Sequence, residues 1–294
     1  MDKKLILKIP PQHDGKTVGY ILETCMGISG ALVTGMKKTD DGIVLDGERV
    51  FVTKKVHEGS TLCAFIKDKP SQIPPKKFPL DILFEDEDII AINKPRRMPT
   101  HPSRNHYEDT LANALMYYYK EKPFTFRAIT RLDTDTSGVV LVAKNPFSGA
   151  ILSESMKRGE IKKEYSAIVC GVPKEEKGRI EAPIKRLRES IITRGVSLGG
   201  KEAITEYETV SSNDSFALLK LNPITGRTHQ LRVHLSHIGT PIYGDSLYGN
   251  AKKGDATLLH CKSICFLHPA SKTEMMIEAP VPEDMKNIIK KEDK

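Results

Sequence analysis

The sequence has no apolar run long enough to cross a bilayer. A spanning helix needs roughly 20 consecutive apolar residues, whereas Val139–Ala143 holds five. The opening Met1-Asp2-Lys3-Lys4 lacks the apolar core of a secretory signal. Cysteine is scarce: Cys25, Cys63, Cys170, Cys261 and Cys265 make an odd set without disulfide-like spacing. These absences argue against a membrane protein and a disulfide scaffold, and they place the chain in a reducing cytoplasm. A regular strand–helix–strand beat is missing too, which points away from a doubly wound parallel sheet.

What is present is a soluble, globular composition. The 294 residues are 39% hydrophobic and 28% charged, enough for one large domain or two unequal ones. The net charge of +7 favours a polyanionic partner, although a merely basic enzyme has the same balance.

Residues 1–66 read as a small appended module. It has a strand at Leu5-Ile6-Leu7, helical stretches over Thr17–Cys25 and Ala31–Lys38, and a hairpin turning at Asp46-Gly47. The hairpin's second arm runs from Glu48 to Thr53, and Leu62–Ile66 is a last strand. Residues 67–79, with four prolines and four lysines, read as a linker. The main domain is 80–294. Its strands and helices predict an α+β fold with a mixed, largely antiparallel sheet and flanking helices. Thr110 or Asp109 caps a helix with Leu111, Ala114, Leu115 and Tyr118 on its apolar face, which puts Tyr118 in the core. Asn145-Pro146 starts another helix that stops at Gly159. A terminal helix opens at Pro282 and frays into Lys291–Lys294.

Two stretches concentrate the chemistry. In Ile129–Asn145, a polar turn-forming segment precedes the buried strand from Val139, and so Asp133 sits on a loop held by a rigid sheet. In Leu221–Gly249, a helix is expected from just after Thr225-Gly226 to about Ile238. It places Arg227, Gln230, His234 and His237 beside an apolar face of Leu231, Leu235 and Ile238. Such a face can hold phosphates or one ion-paired carboxylate, or it can simply be solvated.

Metal sites are weighed and set aside. In His260-Cys261-x3-Cys265-x2-His268, strand alternation puts Cys261, Cys265 and Leu267 on one face and the histidines on the other, so four ligands do not converge. The trio His229, His234 and His237 lacks a carboxylate at helical spacing. Asp133 and Asp135 resemble a glycosidase pair, but Asp135 is expected to stay in solvent.

Taken together, Arg131-Leu132-Asp133-x-x-Thr136-Ser137-Gly138, then Thr225-Gly226-Arg227-Thr228-His229-Gln230-Leu231-Arg232-Val233-His234, then Gly244-Asp245-x-x-Tyr248-Gly249 resemble the RluA-like family of RNA pseudouridine synthases. Asn93-Lys94-Pro95 with His101-Pro102, and Lys163-x-Tyr165-x-Ala167-x-Val169-x-Gly171, resemble further motifs of that family in the same order. Residues 14–66 resemble a divergent S4-like RNA-binding module.

The resemblance implies an enzyme that isomerises uridine to pseudouridine in structured RNA without cofactor or metal. The RNA is expected to be large-subunit ribosomal RNA rather than transfer RNA, and the protein a cytoplasmic monomer. By motif, Asp133 is the essential carboxylate. It attacks the sugar, attacks the base or removes a sugar proton, and nothing in the sequence chooses among these. Arg232 is its ion-pair partner, ahead of Arg227. Tyr165 stacks on the uracil and assists proton transfer from C5, and Leu231 lines the base pocket. Arg131 contacts RNA where the base has left, and Lys94, His101, Arg227, Gln230 and His234 are further RNA or substrate contacts. Two positions depart from the pattern: Thr130 where relatives usually have His, and Arg96-Arg97 where a small residue and Gly are usual. The alternative from another class is an idle RNA-binding or ribosome-assembly factor that keeps the fold.

Overall fold

The computed structural model describes residues 1–69, 71–187, 193–252 and 255–290. At its N-terminus lie β1 (Lys3–Lys8), α1 (Val18–Tyr20, running on as a π-turn over Ile21–Cys25), α2 (Gly30–Met36), β2 (Ile43–Leu45), β3 (Glu48–Arg49) and β4 (Thr61–Ile66). The strands form an antiparallel sheet in the order β1-β4-β2-β3. Asp46 and Gly47 both take positive φ, 50° and 90°, the conformation a two-residue hairpin turn demands. The second arm ends at Arg49, short of the expected Thr53.

Alternate residues of β4 point inward, so Leu62, Ala64 and Ile66 meet Val18, Ile21, Leu22 and Val33 in a small core. That core is closed by Phe147, which belongs to the main domain. The described part of 67–79 carries no helix or strand, as its prolines require. It is nevertheless pinned. Ile73 and Phe78 pack on the main core, and Asn113 donates to the Pro74 carbonyl at 2.8 Å.

The main domain comprises β5 (Ile82–Glu85), β6 (Ile89–Lys94), α3 (Leu111–Tyr118), β7 (Ser137–Ala143), α4 (Pro146–Lys157), β8 (Lys162–Cys170), β9 (Lys177–Glu181), β10 (Ile184–Arg186), β11 (Arg194–Val196), β12 (Ile204–Ser212), β13 (Phe216–Pro223), α5 (Gln230–His237), β14 (Leu259–Leu267), β15 (Glu274–Glu278) and α6 (Glu283–Lys290). The terminal Lys291–Lys294 lie outside the described residues. The large sheet runs β5-β6-β7-β14-β8-β13-β12-β9, with β15 on β14, and β10 and β11 form a separate hairpin. Among the described residues only the β7–β14 pairing is parallel. The fold is therefore α+β and largely antiparallel, as expected.

Thr110 caps α3 in a capping box with Asn113, and Asn145 caps α4 by accepting from the Ser148 amide at 2.9 Å. Two expectations fail locally. Tyr119, not Tyr118, enters the core, stacking on Phe124 and donating to Glu85 at 2.7 Å, while Tyr118 is 48% exposed. In β14 a bulge between Cys261 and Ser263 breaks the alternation. Beyond it Ile264 and Phe266 face the core, and Cys265 and Leu267 turn outward, so Cys261 and Cys265 do not share a face.

Candidate active site

Asp133 sits on the loop that enters β7, and several bonds fix that loop from behind. Thr100 Oγ1 donates to the Leu132 carbonyl at 2.9 Å and accepts from the Leu132 amide at 3.2 Å. The Thr136 amide returns to the Asp133 carbonyl at 3.1 Å. Thr130 Oγ1 accepts from the Leu141 amide at 2.9 Å, so the Thr at this unusual position ties the loop to its own strand. Lys94 is fully buried and donates to the carbonyls of Pro95, Met98 and Thr134 at 2.9, 2.7 and 3.2 Å. Burial pulls its ammonium down to about 7, opposed by Asp133 and Asp135. This corrects the expectation that Lys94 contacts RNA: its donors are spent on three backbone carbonyls.

The Asp133 carboxylate, 26% exposed, lies 3.8 Å from Arg232 Nη1 and 3.9 Å from His229 Nε2. Arg232 is held more tightly by another acid. Its Nε and Nη2 each donate to Asp245 at 2.7 Å, a fork-on-carboxylate pair in which Asp245 is completely buried. Burial works against the charge on Arg232, but the bonds to Asp245 and the nearby carboxylates outweigh it and raise its pKa. Burial likewise opposes the Asp245 carboxylate, and Arg232 more than offsets that, so its pKa falls. The Tyr248 ring lies 5.1 Å from the guanidinium carbon, a cation–π contact. Its hydroxyl meets His229 Nδ1 at 2.7 Å. His229 has a left-handed backbone, φ 57°, directly before α5. Burial keeps its imidazole below the usual range, opposed by Asp133 and aided by Arg232 and Arg194. Asp245 and Tyr248 stand in a motif visible in the sequence, but only the fold shows what they hold.

These groups open onto a cleft of about 570 Å³ whose lining includes Arg131, Asp133, Lys163, Tyr165, Arg227 and Leu231. Tyr165 and Leu231 are 7% and 6% exposed and give it an apolar wall. Tyr165 lies beside the Cys261 thiol; burial first, then Cys261, raises its pKa well above the ordinary value, so it remains a phenol. Arg131 and Arg227 are exposed, and Arg227 Nε is tied to the Glu202 carbonyl at 2.7 Å. Asp135 does not line the cleft.

Three expectations about α5 need correction. The helix starts at Gln230, so Arg227 belongs to the preceding turn rather than to a shared helical face. His234 is fully buried, with Nδ1 at Thr205 Oγ1 (3.0 Å) and Nε2 at the Ala182 carbonyl (2.9 Å). Gln230 accepts from Thr225 Oγ1 and the Arg227 amide and donates to the Ile204 carbonyl and Thr205 Oγ1. Both therefore brace the β12–α5 junction, leaving little bonding capacity for RNA. His101 lies outside the cleft lining; its ring packs on Phe126 at 4.9 Å, and burial, then Arg131, lowers its pKa.

A carboxylate beside a shared guanidinium, an apolar slot and a basic rim can receive one extruded base of a polyanion. The chain is similar to known proteins. The model of the RNA pseudouridylate synthase family fits residues 88–237, which include Asp133, Tyr165 and Arg232. YjbO of Bacillus subtilis (strain 168), an uncharacterized RNA pseudouridine synthase, is 38% identical over 272 residues, covering 91% of this chain and 96% of that one. Ribosomal large subunit pseudouridine synthase D of Escherichia coli (strain K12) is 33% identical over 306 residues, covering 98% and 89%. Among solved structures, human RNA Pseudouridylate Synthase Domain Containing 1 is similar with a TM-score of 0.59 and 25% identity, over 72% of this chain and 86% of that one. The chain belongs to the RNA pseudouridylate synthase family and is an RNA pseudouridine synthase.

Proposed function

We propose that this protein isomerises specific uridines of large-subunit ribosomal RNA to pseudouridine, with Asp133 as the essential carboxylate. One observation carries the reading. Among the described residues, Asp133 is the only carboxylate lining a cleft that also presents Arg131, Lys157, Lys163, Arg227 and Arg232. An idle RNA-binding factor gains nothing from an acid facing phosphates, so the intact pair with Arg232 favours the enzyme.

The reaction detaches uracil from C1′, turns it over and rejoins it through C5. A stacked base blocks approach to C1′, so the nucleotide must first be flipped into the slot. Tyr165 is the stacking platform and Leu231 the facing wall. Arg131 and Arg227, exposed at the mouth, meet the backbone. Tyr165 acts as a phenol rather than a phenolate, which limits it to stacking and hydrogen bonding. Arg232 places a positive charge beside the Asp133 carboxylate. At 3.8 Å, with an effective dielectric near 20, this attraction is about 4 kcal/mol before desolvation is subtracted.

The choice of RNA follows the Escherichia coli relative, a ribosomal large subunit pseudouridine synthase that aligns across 98% of this chain. In this reading residues 1–66 are an S4-like RNA-binding module, 67–79 a connector and 80–294 the catalytic domain, working as a cytoplasmic monomer. The test is tritium release from RNA carrying 5-tritiated uridine. Wild type is expected to release tritium and Asp133→Asn to stay at background with unchanged RNA affinity. Equal release by both removes Asp133 from the chemistry.

A further inference from the structure

The cleft holds a cation for which the described residues provide no partner. Lys163 precedes Tyr165 by two residues in β8, so both side chains leave the same face of the strand, their Cα atoms roughly 7 Å apart. Glu164 between them faces the other way and pairs with Lys220 and Lys262. Lys163 lines the cleft together with Tyr165, Leu231 and Asp133. A Cβ built on Gly226 would lie 3.9 Å from its Nζ, which puts the ammonium against the turn that leads into α5. Among the described residues this ammonium makes no hydrogen bond or ion pair, unlike Lys94, Lys144 and Lys262, which all have partners. Burial lowers its pKa, with the Cys261 thiol opposing. A cation kept largely out of water without a partner is unfavourable, so its position calls for an occupant that supplies negative charge.

We infer that Lys163 donates to a carbonyl oxygen of the flipped uracil and stabilises the negative charge the base carries while it is detached from the sugar. The inference rests on the pseudouridine synthase reading and adds a substrate contact to it. The occupant is assigned from depth. Arg131, Lys157 and Arg227 are exposed at the mouth and are placed to meet phosphates, which stay in solvent. Lys163 lies inward of them, on the strand that carries the stacking tyrosine, where the base itself is the nearest group. When the glycosidic bond breaks with its electron pair on uracil, the charge is shared between N1, the adjacent C2 carbonyl oxygen and, through the C5–C6 double bond, the C4 carbonyl oxygen. It disappears when C5 bonds to C1′; the C5 proton then leaves and N1 takes one up. A donor fixed beside such an oxygen strengthens its bond only while that charge exists, which is how a preorganised group accelerates a step.

The experiment compares wild type with Lys163→Met and Lys163→Gln in single-turnover tritium release, with RNA affinity measured over a salt series. Both variants are expected to lose about 10²–10³-fold in rate, the range for removing one such donor, with RNA affinity and its salt slope unchanged. The contact is then located with RNA bearing 2-thiouridine or 4-thiouridine at the target. One of these slows wild type, and that penalty disappears in Lys163→Gln, which a merely structural lysine would not produce. Denaturation midpoints identify any variant that fails to fold, and Lys163→Gln, which keeps the length of the polar side chain nearly intact, serves as the second variant. A salt slope reduced by about one assigns Lys163 to a phosphate and overturns the inference. So do wild-type rates in both variants, or thio penalties that persist unchanged. If wild type itself releases no tritium, or Asp133→Asn does, the underlying reading has failed instead.

Discussion

Arg232 serves two carboxylates at once, and they hold it differently. Asp245 takes the Nε and Nη2 edge at 2.7 Å, while Asp133 has only Nη1, at 3.8 Å. The guanidinium is thus fixed by Asp245 and presented to Asp133, the carboxylate proposed to act. Asp245→Asn keeps the size of that acid and removes its charge. The expected result is a single-turnover rate about 10²-fold lower, the cost of displacing a reacting group's partner by about 1 Å. Breaking the buried pair should also cost about 3–5 kcal/mol of stability. RNA affinity should not change, because Asp245 is fully buried behind the cleft. A variant with wild-type turnover would show that Asp133 does not need Arg232 held in place. That Asp133, Tyr165, Arg131 and Leu231 meet at one cleft was legible in the sequence because each sits in a motif. Lys94, Gln230 and His234 were misread for one physical reason. Their bonding capacity is absorbed by Thr134, Thr205 and Ala182, backbone or side-chain groups that only the folded chain brings near.

The site depends on how β7, β14 and β8 meet. β14, the second-last strand in the sequence, inserts between the strands that follow Asp133 and carry Tyr165. It touches β7 through two residue pairs, His260 with Ser137 and Cys261 with Gly138. Gly138 has φ +108°, and a Cβ there would lie 2.1 Å from the Cys261 carbonyl oxygen. An alanine faces both penalties. Gly159 offers a control, since its φ is +71° but open space surrounds it. Gly138→Ala is expected to lower the urea-unfolding free energy by clearly more than Gly159→Ala, which faces only the conformational cost of about 1 kcal/mol. It should also slow tritium release, because the Asp133 loop leads directly into this strand. Equal effects of the two substitutions would mean that β7 and β14 can move apart freely. From the sequence Gly138 reads as a turn residue opening a strand. The reason for glycine lies more than a hundred residues away, in a parallel pairing that no local pattern announces. The strands, hairpin turn and helix caps were legible because they are local; the order in which strands pair was not.

At the scale of the whole molecule, the appended module and the main domain share structure rather than merely a tether. Phe147, in the first turn of α4, is 4% exposed and completes the module's core beside partly buried Ile151. Around it the Met1 amino group and Arg127 both pair with Asp68, and Lys3 pairs with Asp88 at 2.9 Å. A proline-rich connector alone would let the module tumble; these contacts hold it against the main domain. Phe147→Ala removes the apolar part of that bond and leaves the ion pairs, with an expected cost of about 3–5 kcal/mol if the cavity does not collapse. Because α4 keeps its Asn145 cap and its packing on β7, the loss should fall on the module. Far-UV circular dichroism and protease cleavage within 67–79 should then report unfolding at lower urea than tritium release does, where wild type shows one coincident transition. Affinity for structured RNA should fall with the undocked module, and the rate on RNA bound at saturation should hold. If protection from cleavage and activity are lost together in the variant as in wild type, the two parts fold as one unit and the module's docking is not separable from the active site.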